Sequence, residues 1–166
     1  DFVVCSSMSA VPDDPSEDAG SSWEIAGLRM PHDRLKIQAL GRLMGHASSV
    51  GSLSNDSVHL NLGHHFDVAQ AQADLQLLGG AQGTVHWNKG GDLGSTFQVK
   101  PPGKVVRMLN LAGSVCGDQK KRDGNIIPHA VIDTSAPLCF VREWLAAAWG
   151  GDAEKPNPCG HCDLRL

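Results

Sequence analysis

Two cysteines separated by two residues, Cys159-Gly160-His161-Cys162, lie close to the end of a 166-residue sequence. That spacing lets two thiolates face one metal ion, because Gly160 allows the backbone to curl towards it and Pro158 stiffens the approach. Structural zinc takes four ligands at tetrahedral corners, so the pair needs two partners from upstream. The best placed are Cys116 and His129, which gives the pattern Cys116-x12-His129-x29-Cys159-x2-Cys162. Cys139 is the main rival for the third thiol, and Cys5 a more distant one. A lone cysteine or histidine is ordinarily a core residue. Here the need of the pair for two partners favours ligation. His161, between the paired cysteines, should turn its ring away from their metal. Five cysteines is an odd number, and their clustering suits a metal better than a disulfide framework.

The elements that would position these groups follow from composition and periodicity. Hydrophobic residues make up 41% of the chain, enough for a core. Only 5% are aromatic, Tyr is absent and there are 19 glycines, so a thin, loop-rich core that gains from a metal staple is expected. The formal net charge is −4, and the one basic run, Lys120-Lys121-Arg122, is flanked by Asp118 and Asp123. No nucleic-acid partner is therefore expected. No apolar stretch reaches the roughly 18 residues of a membrane span. The chain starts at Asp1 rather than Met, which fits a processed form or an unseen start.

Residues 1 to 30 read as an extended acidic arm, with Pro12, Asp13, Asp14, Pro15, Glu17 and Asp18 giving little to bury. Residues 31 to 80 read as helical. Asp33 should cap a helix carrying Ile37, Leu40 and Met44, and Asp67 a second carrying Val68, Ala71, Leu75 and Leu78, ended by Gly79-Gly80. Residues 47 to 57, rich in Ser, Gly and Asn, read as loop. Short strands are expected at Thr84 to Trp87, Phe97 to Val99, Val105 to Leu109 and Ile126 to Asp133. A third helix should interrupt them at about 135 to 150, started by Ser135 and Pro137 and facing inward through Phe140, Trp144 and Ala148. The fold class is thus α+β: a small antiparallel zinc-stapled β domain over residues 81 to 166, with helices and an arm upstream.

The order Val115-Cys116-Gly117-Asp118, His129-Ala130-Val131-Ile132-Asp133 and Cys159-Gly160-His161-Cys162-Asp163-Leu164 resembles the C-terminal CHCC zinc-finger family. The resemblance covers about the last 50 residues and, loosely, residues 83 to 99, where Gly83 to Trp87 is similar to the family's lead-in strand. It implies one structural zinc on Cys116, His129, Cys159 and Cys162. It also implies a non-catalytic accessory subunit of respiratory complex I, the NADH:ubiquinone oxidoreductase, supporting assembly of its peripheral arm. The partners would be other peripheral-arm subunits, and the location the matrix side of the mitochondrial inner membrane. Electron transport itself would belong to those neighbours.

Two catalytic families share parts of the pattern. Zinc nucleobase deaminases carry His-x-Glu and Pro-Cys-x-x-Cys, but Val131 stands where the proton-shuttling Glu is needed, so the chain would be an inactive relative. Cys-Gly-His-Cys also resembles the dithiol of disulfide isomerases. That chemistry needs a helix after the first thiolate, and four residues after Cys162 cannot form one.

Overall fold

The computed structural model describes residues 22–54, 57–88, 96–114 and 127–152. It is an α+β fold. Strands β1 (Glu24–Ile25) and β2 (Leu28–Arg29) form a small hairpin that leads into helix α1 (Arg34–Val50). Strands β3 (Gly51–Ser54) and β4 (Ser57–Leu62) follow, then α2 (His65–Gly79), β5 (Thr84–Asn88), β6 (Thr96–Lys100) and α3 (Gly103–Leu111). A single turn, α4 (His129–Ile132), precedes α5 (Leu138–Asp152). The four longer strands form one antiparallel sheet in the order β3-β4-β6-β5. Strands from both sides of residue 80 therefore share it, and beyond Lys100 the described elements are all helical.

The helices form where an apolar stripe recurs. On α1, Ile37, Leu40, Leu43, Met44 and Ala47 are buried, which is the expected face extended by one turn. Asp33 precedes α1 as expected, but its carboxylate does not cap the helix. It accepts from the Arg29 backbone N–H at 3.1 Å and from Lys36 Nζ at 3.2 Å, fixing the hairpin to the helix start. These bonds, led by the one from Arg29, hold its carboxyl below the usual range. On α2, Ala71, Leu75 and Leu78 are buried. His64 rather than Asp67 is the N-cap, its Nδ1 accepting from the Phe66 N–H at 3.3 Å. Asp67 sits in the first turn, where a negative charge suits the helix dipole. Gly80 closes the helix at φ 76°, a left-handed position that favours glycine.

Four expected segments come out differently. In the arm expected over residues 1 to 30, residues 24 to 29 form the β1–β2 hairpin, and Ile25, Leu28 and Met30 are buried in the core. Of residues 47 to 57, expected as loop, those described are helix and strand: α1 runs to Val50, with the Ser49 hydroxyl donating back to the Gly45 carbonyl at 3.1 Å, β3 follows directly, and Ser57 opens β4. Val105 to Leu109 is helix, not strand. The β-branched pair favours a strand locally, but Val105, Val106, Leu109 and Ala112 share one helical face, and all four are buried. His129 to Ile132 is a helical turn rather than part of a strand, started by the buried Pro128, whose carbonyl accepts from the Val131 N–H at 2.9 Å. The helix expected at 135 to 150 is α5, with Phe140, Trp144 and Ala148 buried as read.

Among the described helices the closest packing is between α1 and α5. Their contacts advance together along both chains, Gly41 against Phe140 and Gly45 against Trp144 and Ala148, so the helices run parallel. A Cβ on Gly45 would lie 2.5 Å from the Trp144 carbonyl oxygen and 2.7 Å from Ala147 Cβ. Only glycine permits that approach. Arg42, between the two glycines, reaches Asp74 on α2 through bonds of 2.9 and 2.7 Å, and Glu143 on α5 at 3.0 Å. One guanidinium thus joins three helices, and Asp74 is nearly buried beneath it.

Candidate nucleic-acid interface

Alternation along the strands gives the sheet two chemically distinct faces. Val58, Leu60 and Leu62 of β4 and Val99 of β6 point inward and are buried, with α1, α2 and α3 packed over β4. The residues between them point outward. Register sets Ser52 beside His59, Asn61 beside Gln98, Gln98 beside His86, Lys100 beside Thr84, and Thr96 beside Asn88. With Ser57, the outer face carries hydroxyls, amides, two imidazoles and one ammonium. It has no carboxylate and no apolar side chain among these positions.

At its centre the polar groups are held in order. The Asn61 side-chain amide donates to the Val50 carbonyl at 3.1 Å, which turns its Oδ1 towards Gln98. Gln98 Nε2 donates to that oxygen at 3.4 Å, leaving Gln98 Oε1 and a second N–H for another partner. His86, exposed, is the next residue in the same row. His59 Nε2 lies 2.9 Å from Ser57 Oγ, while its Nδ1 is enclosed without a partner among the described residues. The α2 helix is tied to the start of β5 by a reciprocal pair: Gln72 Nε2 donates to the Gly83 carbonyl at 2.9 Å, and the Gly83 N–H to Gln72 Oε1 at 2.7 Å. The row Asn61–Gln98–His86 therefore stands on a braced frame.

Sequence reasoning singled out none of these residues. Their signal lies in Ser-Val-His-Leu-Asn-Leu, residues 57 to 62, where polar and apolar residues alternate with the strict period of two that β4 displays. Of the expected zinc ligands, Cys116, Cys159 and Cys162 lie outside the described residues. His129 is described: it is the exposed first residue of α4, its carbonyl accepting from the Asp133 N–H at 3.0 Å. Cys139, the rival thiol, is buried on α5 within the helix core. Among the described residues, no three or more His, Cys, Asp or Glu side chains group as a metal site. No described helix is long and apolar enough to cross a membrane. No family model, curated protein or solved structure matches the chain.

Proposed function

We propose that this chain binds double-stranded DNA across the outer face of its four-stranded sheet. The observation that carries the reading is the row Asn61–Gln98–His86, its first two members held by hydrogen bonds, on a face with no carboxylate among its described residues. A merely solvated sheet face would be expected to mix charges of both signs. This one offers the groups that read base edges: glutamine and asparagine pair with adenine in the major groove, and hydroxyls bond to any base. Three strand spacings of about 4.8 Å make the sheet roughly 14 Å across, comparable with the ~12 Å major groove of B-DNA. The deep, narrow major groove of double-stranded RNA would not admit it.

The whole-chain charge of −4 points away from nucleic acid, but its distribution does not. Five of the 18 carboxylates fall within residues 1 to 22, which hold no Lys or Arg, so from Trp23 onward the 14 basic residues outnumber the acidic ones. Lys100 lies on the outer face itself, and Lys104 and Arg107 are exposed on the helix that follows. Titrating the full chain into a labelled duplex at several salt concentrations tests the reading. Binding that weakens as salt rises, and weakens further in Gln98→Ala, supports it. No binding at low salt would remove it.

A second reading keeps the zinc site, because His129 is exposed and therefore able to serve as a ligand beside the Cys159-x2-Cys162 pair. In that reading one structural zinc joins Cys116, His129, Cys159 and Cys162, and the chain is a non-catalytic accessory subunit of complex I in the mitochondrial matrix arm. The helical turn at His129–Ile132 departs from the strand that the CHCC family places after its histidine. Metal analysis tests this reading: one zinc per chain, lost in Cys159→Ser, together with comigration with an NADH-oxidising complex, would support it over DNA binding.

A further inference from the structure

Strand β5 is an edge of the sheet among the described residues, and all five of its residues are exposed. Edge strands normally carry a device against pairing with another chain: a lysine, a proline, an inward charge or a bulge. Thr84-Val85-His86-Trp87-Asn88 has no Lys, Arg, Asp, Glu or Pro, and it pairs with β6 residue for residue without a bulge. On the side of the sheet that bears the helices, Val85 is 38% and Trp87 57% exposed. Trp87 makes an edge contact with Phe97 on β6, ring centroids 4.5 Å apart, and is bare beyond it.

The strand is also complementary to itself. About a two-fold axis through His86, an antiparallel copy would set Val85 opposite Trp87, Trp87 opposite Val85, and Thr84 opposite Asn88. Aromatic and β-branched residues directly opposite each other are among the favourable cross-strand pairs. The hydroxyl of Thr84 and the amide of Asn88 can hydrogen-bond across the other face. No like charges meet. A foreign strand would need to supply this pattern; a second copy already has it.

We infer that β5 is a homodimer interface, at which two copies of this chain join their sheets edge to edge with His86 on the two-fold axis. The pairing extends the apolar row Phe97–Trp87 across the boundary onto Val85 of the second copy, covering the indole that one copy leaves exposed. It does not depend on what the outer face binds.

Sedimentation of the full chain tests it. The wild type is expected to be dimeric, and Trp87→Ser to shift it towards monomer while its far-UV circular dichroism stays unchanged. Register is tested by charge. One variant carries Thr84→Glu with Asn88→Glu, another Thr84→Lys with Asn88→Lys; each alone sets like charges opposite one another and should be monomeric. Mixed, they should recover a dimer containing one copy of each. A wild type that stays monomeric at its highest soluble concentration overturns the proposal. So do charge variants that still self-associate, or folded variants that fail to pair when mixed.

Discussion

The two faces of the sheet are built from the same strands and obey opposite rules. Inward, Val58, Leu60, Leu62 and Val99 are fully or almost fully buried under helices, and their contribution is removal of apolar surface from water. Outward, one residue along in each case, the side chains are polar and not fully buried, and they bond to one another and to the Val50 carbonyl. Stability should therefore reside in one set of alternating positions and ligand binding in the other. Substitutions on the two faces ought to separate cleanly.

The largest effects are expected inside. Leu60→Ala removes a fully buried side chain from the middle of the sheet and should cost about 2–5 kcal/mol in urea unfolding. Its DNA affinity should be unchanged where the variant remains folded. Arg42→Ala should cost about 3–5 kcal/mol, because it strands the nearly buried Asp74 carboxylate without its guanidinium partner. Arg42→Met with Asp74→Leu and Glu143→Gln should recover much of that loss, since no carboxylate would then be left without its guanidinium partner. The same unfolding assay checks both.

Outside, the order reverses. Gln98→Ala should lower affinity for a preferred duplex by about 1–3 kcal/mol, while unfolding stability moves by no more than about 1 kcal/mol for the one hydrogen bond lost. Lys100→Ala should weaken binding to all sequences alike and reduce the slope of log affinity against log salt by about 1. Stability losses in these outer variants as large as that of Leu60→Ala would break the comparison.

The smallest effect is a pH dependence set by His46 on α1. Burial pushes its imidazole below the ordinary histidine range, and the neighbouring carboxylates of Asp67 and Asp74 offset this only in part. The folded chain thus holds the proton less well than the unfolded one. Between the two titrations the unfolded state binds more protons, so stability rises with pH through that window. It is present above the unfolded value and falls as pH drops below about 6.5. His46→Gln should flatten this part of the profile, as followed by thermal unfolding across mildly acidic pH.

The helical part of the fold was legible because 3.6-residue stripes are long and redundant. Ile37-Leu40-Met44 and Phe140-Trp144-Ala148 each announced the face that is buried. Strand signals failed where local preference and tertiary packing disagreed: Val105 and Val106 favour strand by shape, yet their pairing with Leu109 and Ala112 satisfies a helix. The Ser-rich stretch before β4 hid a helix end and a strand, since serine can bond back to the helix carbonyl and is not always a breaker. The outer face was invisible for another reason. Asn61, His86 and Gln98 lie on three strands, and nothing in their spacing along the chain reveals that register brings them into one row. The Cys-x-x-Cys pair, by contrast, was conspicuous in sequence, and its expected site falls outside the described residues except for His129.

The central claim is that the outer face of the sheet holds DNA. It is tested most directly by fluorescence anisotropy of a labelled duplex titrated with the wild type and with the triple variant Asn61→Ala, His86→Ala, Gln98→Ala. Both chains must first be shown to be folded by matched circular dichroism. The account predicts wild-type binding that strengthens as salt is lowered, with affinity of at least the ~10⁻⁴–10⁻⁶ M range of sequence-independent contact, and a loss of about tenfold or more in the variant. Equal affinity of the two folded chains, or no binding by the wild type at low salt, would contradict it.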